Sequence, residues 1–149
     1  MNNVHEPYSE FGYYIHQIVA LIDKRGDRLF RNSLGISLTQ FMLLRLIEAS
    51  AKTQPSQQVI AKKLGIAKSA MSRHVVIAEE RGWLEVRTSS NSKRQNTLIL
   101  TRAGKKLLER AKKLIEEYDA LGFDDMPAAD VEVTMRTLKS FYDKLQATQ

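Results

Sequence analysis

Apolar residues recur at helical spacing through most of this chain, and only one short region alternates as a strand would. Phe11, Ile15, Ile18, Ile22 and Leu29 share one helical face, and Pro7 with Ser9 before them suits a helix start. This first helix is expected to end near residues 32–35. Ser37 followed three residues later by Gln40 forms a capping-box signature, and Phe41, Leu44 and Ile47 carry a second helix to about Ser50. Pro55 and Ser56 open a short third helix through Val59, Ile60 and Leu64 that stops at Gly65, with Ala61 and Leu64 suited to packing on the next helix. In a fourth helix Met71, Val75 and Ala78 turn inward, leaving Lys68, Ser69, Ser72, Arg73 and Val76 on the other face, and Gly82 ends it.

The period then changes. Trp83 to Arg87 and Thr97 to Leu100 are rich in strand formers, and the polar run SSNSKRQN (89–96) between them reads as a long hairpin loop. Beyond Thr101, Leu107, Ala111, Leu114, Tyr118 and Leu121 repeat in steps of four and three. Val131, Met135, Leu138, Tyr142 and Leu145 do the same after the GFDDMP (122–127) turn. The expected class is mainly α with a small β-wing, a winged helix-turn-helix flanked by N- and C-terminal helices.

Charge sharpens this picture. Residues 56–106 hold eleven Lys or Arg against three acids, a local net charge of +8, whereas the rest of the chain holds twelve basic and fourteen acidic residues. Such localisation is the electrostatic footprint of polyanion binding. From Leu107 to Gln149 there are six basic and nine acidic residues, so the closing helices are not built for phosphate. Long amphipathic helices at the end of a small chain are suited to pairing with a second copy, or to folding back on the first helix. The chain has no cysteine, which excludes disulfides, thiolate zinc sites and thiol-based sensing. The charged residues Glu6, Glu10, Asp23 and Asp27 among the first thirty do not fit a signal peptide, and no apolar run approaches a bilayer span, so a cytoplasmic protein is expected.

The order and spacing of these segments resemble the MarR family of winged helix-turn-helix transcription regulators over nearly the whole chain. SLTQFMLLRLIE (37–48) is similar to that family's second helix and IAKKLGIAKSAMSRHV (60–75) to its helix-turn-helix. AEERGWLEVRTSSNSKRQNTLILTRAGKKL (78–107) is similar to its helix end, wing and the leucine-threonine-x-x-glycine opening of the fifth helix. The resemblance implies one domain over 1–149, with a DNA-binding lobe at about 36–106 and dimerisation helices at about 8–32 and 107–147. Two departures stand out. Ala78 with Glu79 replaces the usual Leu-Glu, leaving space for Trp83 or Ile77 to fill. Ser92-Lys93-Arg94 replaces Asp-x-Arg and so lacks the acid that would orient the wing arginine.

A helix in the major groove offers its first turns to base edges, so Lys68, Ser69, Ser72 and Arg73 are candidate DNA contacts, with Arg73 able to reach guanine bidentately. Arg94 suits the minor groove of A·T-rich DNA, and Lys93 a phosphate. Ser56 and Gln57 could meet phosphate at the start of the third helix, although Ser56 also suits an N-cap. Arg87 divides evenly between a phosphate contact and a structural ion pair. The resemblance further implies a small aromatic or anionic effector, for which Tyr14, His16, Met42 and Arg45 are candidate ligand-binding residues.

The expected function is therefore a sequence-specific regulator, a repressor by the resemblance, whose partners are double-stranded DNA at a pseudo-palindromic operator, a second copy of itself and an effector. The competing reading is a winged-helix protein-interaction module, an antirepressor or accessory regulator, which predicts an uncharged or acid-blunted recognition face. His5, His16 and His74 lack metal-ligand spacing, so no metal or cofactor is expected. No phosphate loop, catalytic triad or paired-carboxylate signature points to an enzyme.

Overall fold

The computed structural model describes residues 6–88, 96–117 and 125–148, with side chains from residue 10 onward. In chain order it forms α1 (Glu6–Leu34), α2 (Leu38–Ala49), a 3₁₀ turn (Ala51–Thr53), α3 (Gln57–Leu64), α4 (Lys68–Glu80), β1 (Leu84–Thr88), β2 (Asn96–Leu100), α5 (Arg102–Glu117) and α6 (Ala128–Ala147). The chain divides into two compact units, residues 1–117 and 118–149.

In the first unit the core gathers around α2, whose Leu43, Leu44 and Ile47 are essentially inaccessible. Both halves of the expected capping box form. The Gln40 N–H donates to Ser37 Oγ at 3.1 Å, and the Ser37 N–H donates to Gln40 Oε1 at 2.9 Å. A further N-terminal amide of α2, that of Leu38, donates to Asp27 Oδ1 of α1 at 3.1 Å. Arg31 pairs with the same carboxylate, and chiefly through that hydrogen bond Asp27 is held below the usual aspartate range. Phe30 of α1 stacks on Phe41 of α2 with ring centroids 4.5 Å apart, so these helices share an apolar seam beside the polar cap.

Gly65 adopts φ +65°, the left-handed conformation that closes α3, and the Ile66 N–H reaches back to the Ala61 carbonyl at 3.2 Å. Met71, Val75 and Ala78 of α4 face the core as their spacing predicts. Beside Ala78, Trp83 packs against the core while Ile77 remains exposed. β1 and β2 pair antiparallel from Leu84 opposite Leu100 to Thr88 opposite Asn96, and Leu84, Leu98 and Leu100 close the core from below. The hairpin tip, including Lys93 and Arg94, lies outside the described residues.

β2 also has a second backbone neighbour. The Leu98 N–H donates to the Pro55 carbonyl at 3.0 Å, and Ser56 bridges to Thr97, so the start of α3 is stitched to the returning wing strand. Gln54, just before it, is the sole described non-glycine residue at positive φ.

α5 enters through Thr101, whose Oγ1 accepts from the Gly104 N–H at 3.1 Å and donates to the Gly82 carbonyl at 2.6 Å. A Cβ at Gly104 would sit 2.0 Å from the Trp83 carbonyl oxygen, so only glycine lets the helix approach the turn this closely. Gly104, Leu107, Leu108 and Ala111 are buried. Tyr118 and Leu121, expected to continue this helix, lie outside the described residues. In the second unit α6 buries no residue; Val131 and Leu138 are half-buried, and Met135, Tyr142 and Leu145 are exposed. α1 likewise leaves Phe11, Ile18 and Ile22 exposed on its expected inner face. Among the described residues, no helix is long and apolar enough to cross a membrane.

Candidate nucleic-acid interface

The candidate interface is built on α4, because its buried stripe fixes which residues must point outward. With Met71, Val75 and Ala78 inside, Lys68, Ser69, Ser72, Arg73 and Val76 are all exposed. Lys68 and Arg73 make no hydrogen bond or ion pair with another of the described residues, so both cations are available to an incoming anion. α4 has no side-chain N-cap, since Ala67 occupies that position.

α3 braces this helix. Gln57 Nε2 donates to Ser72 Oγ at 2.7 Å, which leaves the Ser72 proton free to be donated outward. Ser56 Oγ accepts the Val59 N–H at 3.3 Å, so it is an N-cap. Ser56, Gln57, Gln58, Lys68 and Asn96 converge on a shallow polar cleft of about 180 Å³, where the starts of α3 and α4 meet β2. Sequence reasoning found Ser56, Gln57 and Lys68; Gln58 and Asn96 carry no local signal that would have marked them.

Several of the basic residues in 56–106 have intramolecular work. Arg81 donates to the Gly35 carbonyl at 3.2 Å and lies over the Trp83 ring, 5.1 Å from its centroid. Lys63 Nζ donates to Ser50 Oγ at 3.2 Å. Arg87 pairs with Glu85 at 2.9 Å, the structural alternative for that residue, although both side chains remain more than half exposed. Unlike these, Lys68 and Arg73 sit together on the face of one helix. His74, beside Arg73, turns its Nδ1 into the protein, where it is buried without a hydrogen-bond partner among the described residues.

The effector candidates are arranged differently. Tyr14 and His16 lie on α1, and Met42 and Arg45 on α2; all four are exposed, and no described cavity is lined by them. Arg45 instead pairs with Glu48 at 2.9 Å. An apolar cavity of about 380 Å³ opens between α2, β2 and α5, lined by Ile47, Leu98, Ile99 and Leu100 with Glu48, Gln54 and Lys105 at its polar edge. Lys112 of α5 donates to both Glu48 carboxylate oxygens, at 2.9 and 3.1 Å. That hydrogen bond first, with Arg45 adding to it, holds Glu48 below the usual glutamate range. Among the described residues no cluster of His, Asp or Glu could hold a metal ion.

The sequence model of the MarR family matches residues 34–95. A search of curated proteins gives no match. Among solved structures, a MarR/EmrR family transcriptional regulator from Acinetobacter superposes with TM-score 0.78 at 23% identity, covering 93% of this chain and 96% of that one. A MarR mutant from E. coli complexed with operator DNA gives TM-score 0.76 at 22% identity over 94% of this chain and 99% of its own. The S. aureus MepR–DNA complex gives 0.73 at 18% identity over 91% and 96%. The winged-helix fold is common to all of them.

Proposed function

We propose that this chain, which carries the MarR-family segment at residues 34–95 and shares that family's fold, regulates transcription as a homodimer on a pseudo-palindromic operator. It acts as a repressor, with half-sites about one helical turn apart. The observation that carries the reading is the exposed face of α4, where Lys68, Ser69, Ser72 and Arg73 stand together without an acid until Glu79. Two relatives of this fold were solved on DNA, which supports the same assignment. Arg73 reads a guanine edge, Lys68 and the polar cleft beside it take phosphate, and Ser72 is aimed by Gln57. Arg87 reaches phosphate when it leaves Glu85, and Lys93 and Arg94 follow the adjacent groove from the wing tip.

The exposed apolar residues of α1 and of α6 support the homodimer, because each helix carries an amphipathic face that its own unit leaves uncovered. An amphipathic anion, its apolar body in the α2–β2–α5 cavity and its charge at Lys105, is the effector that cavity favours; Tyr14, His16, Met42 and Arg45 remain candidates for a site completed by the second copy. Release of DNA then requires that the effector bind better to a dimer whose two α4 helices are wrongly spaced.

Selection of bound duplexes from a randomised pool at about 150 mM salt tests the reading, since non-specific phosphate attraction is weakened there. The expected result is an enriched inverted repeat, to which Arg73→Ala binds about 1–3 kcal/mol more weakly and with relaxed preference at one position. Recovery of no shared motif, together with a stable complex with another protein, would favour the interaction module instead.

A further inference from the structure

Val76 is half exposed, at 50%, on the same face of α4 as the polar candidates. Ser69, Ser72, Arg73 and Val76 stand at i, i+3, i+4 and i+7, the spacing with which a helix lying in the major groove addresses successive base pairs. A β-branched residue is a poor choice for a half-exposed helix position, where its restricted side chain lowers propensity and only part of it is buried in return. Glu79 and Glu80 follow one turn later, and like charge excludes them from close approach to phosphate. Val76 is therefore the last residue of this face able to lie close to the duplex.

The major-groove edge offers only one apolar group, the C5 methyl of thymine, and apolar side chains read it by contact. We infer that Val76 is a specificity-determining residue that packs on a thymine methyl in each half-site, an inference that rests on the DNA-binding reading above. The helical rise fixes where that thymine lies. Three residues separate Arg73 from Val76, about 4.5 Å along the helix axis, so the thymine lies one or two base pairs from the guanine that Arg73 contacts. Ser72, held by Gln57, stands just before Arg73 on the same face and keeps this face from rotating.

The test uses the operator recovered from the randomised pool, with each thymine of the half-site replaced in turn by deoxyuridine, which removes only the methyl. Binding of the full-length parent and of Val76→Ala is measured by fluorescence anisotropy. Burial of one methyl predicts that a single deoxyuridine position, within two base pairs of the Arg73-dependent guanine, weakens the parent about fourfold per half-site. Val76→Ala binds the thymine operator more weakly by a similar factor and is indifferent to deoxyuridine at that position, while other substitutions affect parent and variant alike. Because the side chain is exposed and alanine favours helix, the variant folds as the parent does. A parent indifferent to deoxyuridine at every position, or a variant that keeps the parent's full pattern, overturns the assignment while leaving DNA binding intact. A pool that yields no motif overturns the DNA-binding reading, and this inference with it.

Discussion

α5 and α6 are written with the same spacing of apolar residues, yet α5 buries Gly104, Leu107, Leu108 and Ala111 within its own unit and α6 buries nothing. The difference begins at their N-termini. α5 is fixed by Thr101, which ties its first turn to Gly82, and by Gly104, which lets backbone approach backbone beneath Trp83. α6 starts after Pro127 without a side-chain cap. Periodicity thus specifies that a helix has an inner face, but not what surface covers it.

The sharpest way to break this contrast is Gly104→Ala. Its methyl would collide with the Trp83 carbonyl, whose oxygen already accepts the Thr101 N–H at 3.1 Å, so neither backbone can yield without losing the turn. Urea unfolding is expected to show a loss of at least about 3 kcal/mol. For α6 the corresponding experiment is Met135→Glu with Leu145→Glu, both at exposed positions. If a second copy covers this face, sedimentation equilibrium will show the dimer dissociation constant raised about 100-fold, equivalent to about 2.7 kcal/mol. An unchanged constant would remove α6 from the interface.

Smaller effects separate the capped start of α2 from its salt-bridged side. Ser37→Ala removes one half of the capping box and should cost about 1 kcal/mol in the same urea assay. The Glu48 cluster is weaker and depends on pH. Its carboxyl is lowered in the folded protein, so its contribution is present above the ordinary glutamate value of about 4.3 and is lost as pH falls through the lowered folded value. Glu48→Gln should therefore be less stable than the parent near neutrality by less than about 1 kcal/mol. The gap should close below that range, where Asp27 still gives both proteins some acid sensitivity.

Where structure is set by neighbours in sequence, the chain was legible. The Ser37–Gln40 box, the stop at Gly65 and the inward stripe of α4 follow from local chemistry and appear as expected. The exposed face of α4 was legible for the same reason, since naming the buried residues names the exposed ones. The stitch from Pro55 to Leu98 was not, because a single backbone hydrogen bond between distant segments has no side-chain signature. Nor was the α2–β2–α5 cavity, which exists only once three separated elements meet. Candidates chosen from helix faces, Tyr14, His16, Met42 and Arg45, carried no information about which faces would enclose a space. The resemblance marked the glycine of the fifth helix, but only the carbonyl above Gly104 supplies the reason for it.

Asp27 reaches from α1 to the first amide of α2, and Phe30 stacks on Phe41 a few residues further on. For anyone excising a minimal winged-helix fragment, these contacts move the safe cut site. A fragment beginning at residue 34, where the family match begins, would present α2 without its carboxylate cap and Phe41 to water. One beginning before Asp27 keeps both.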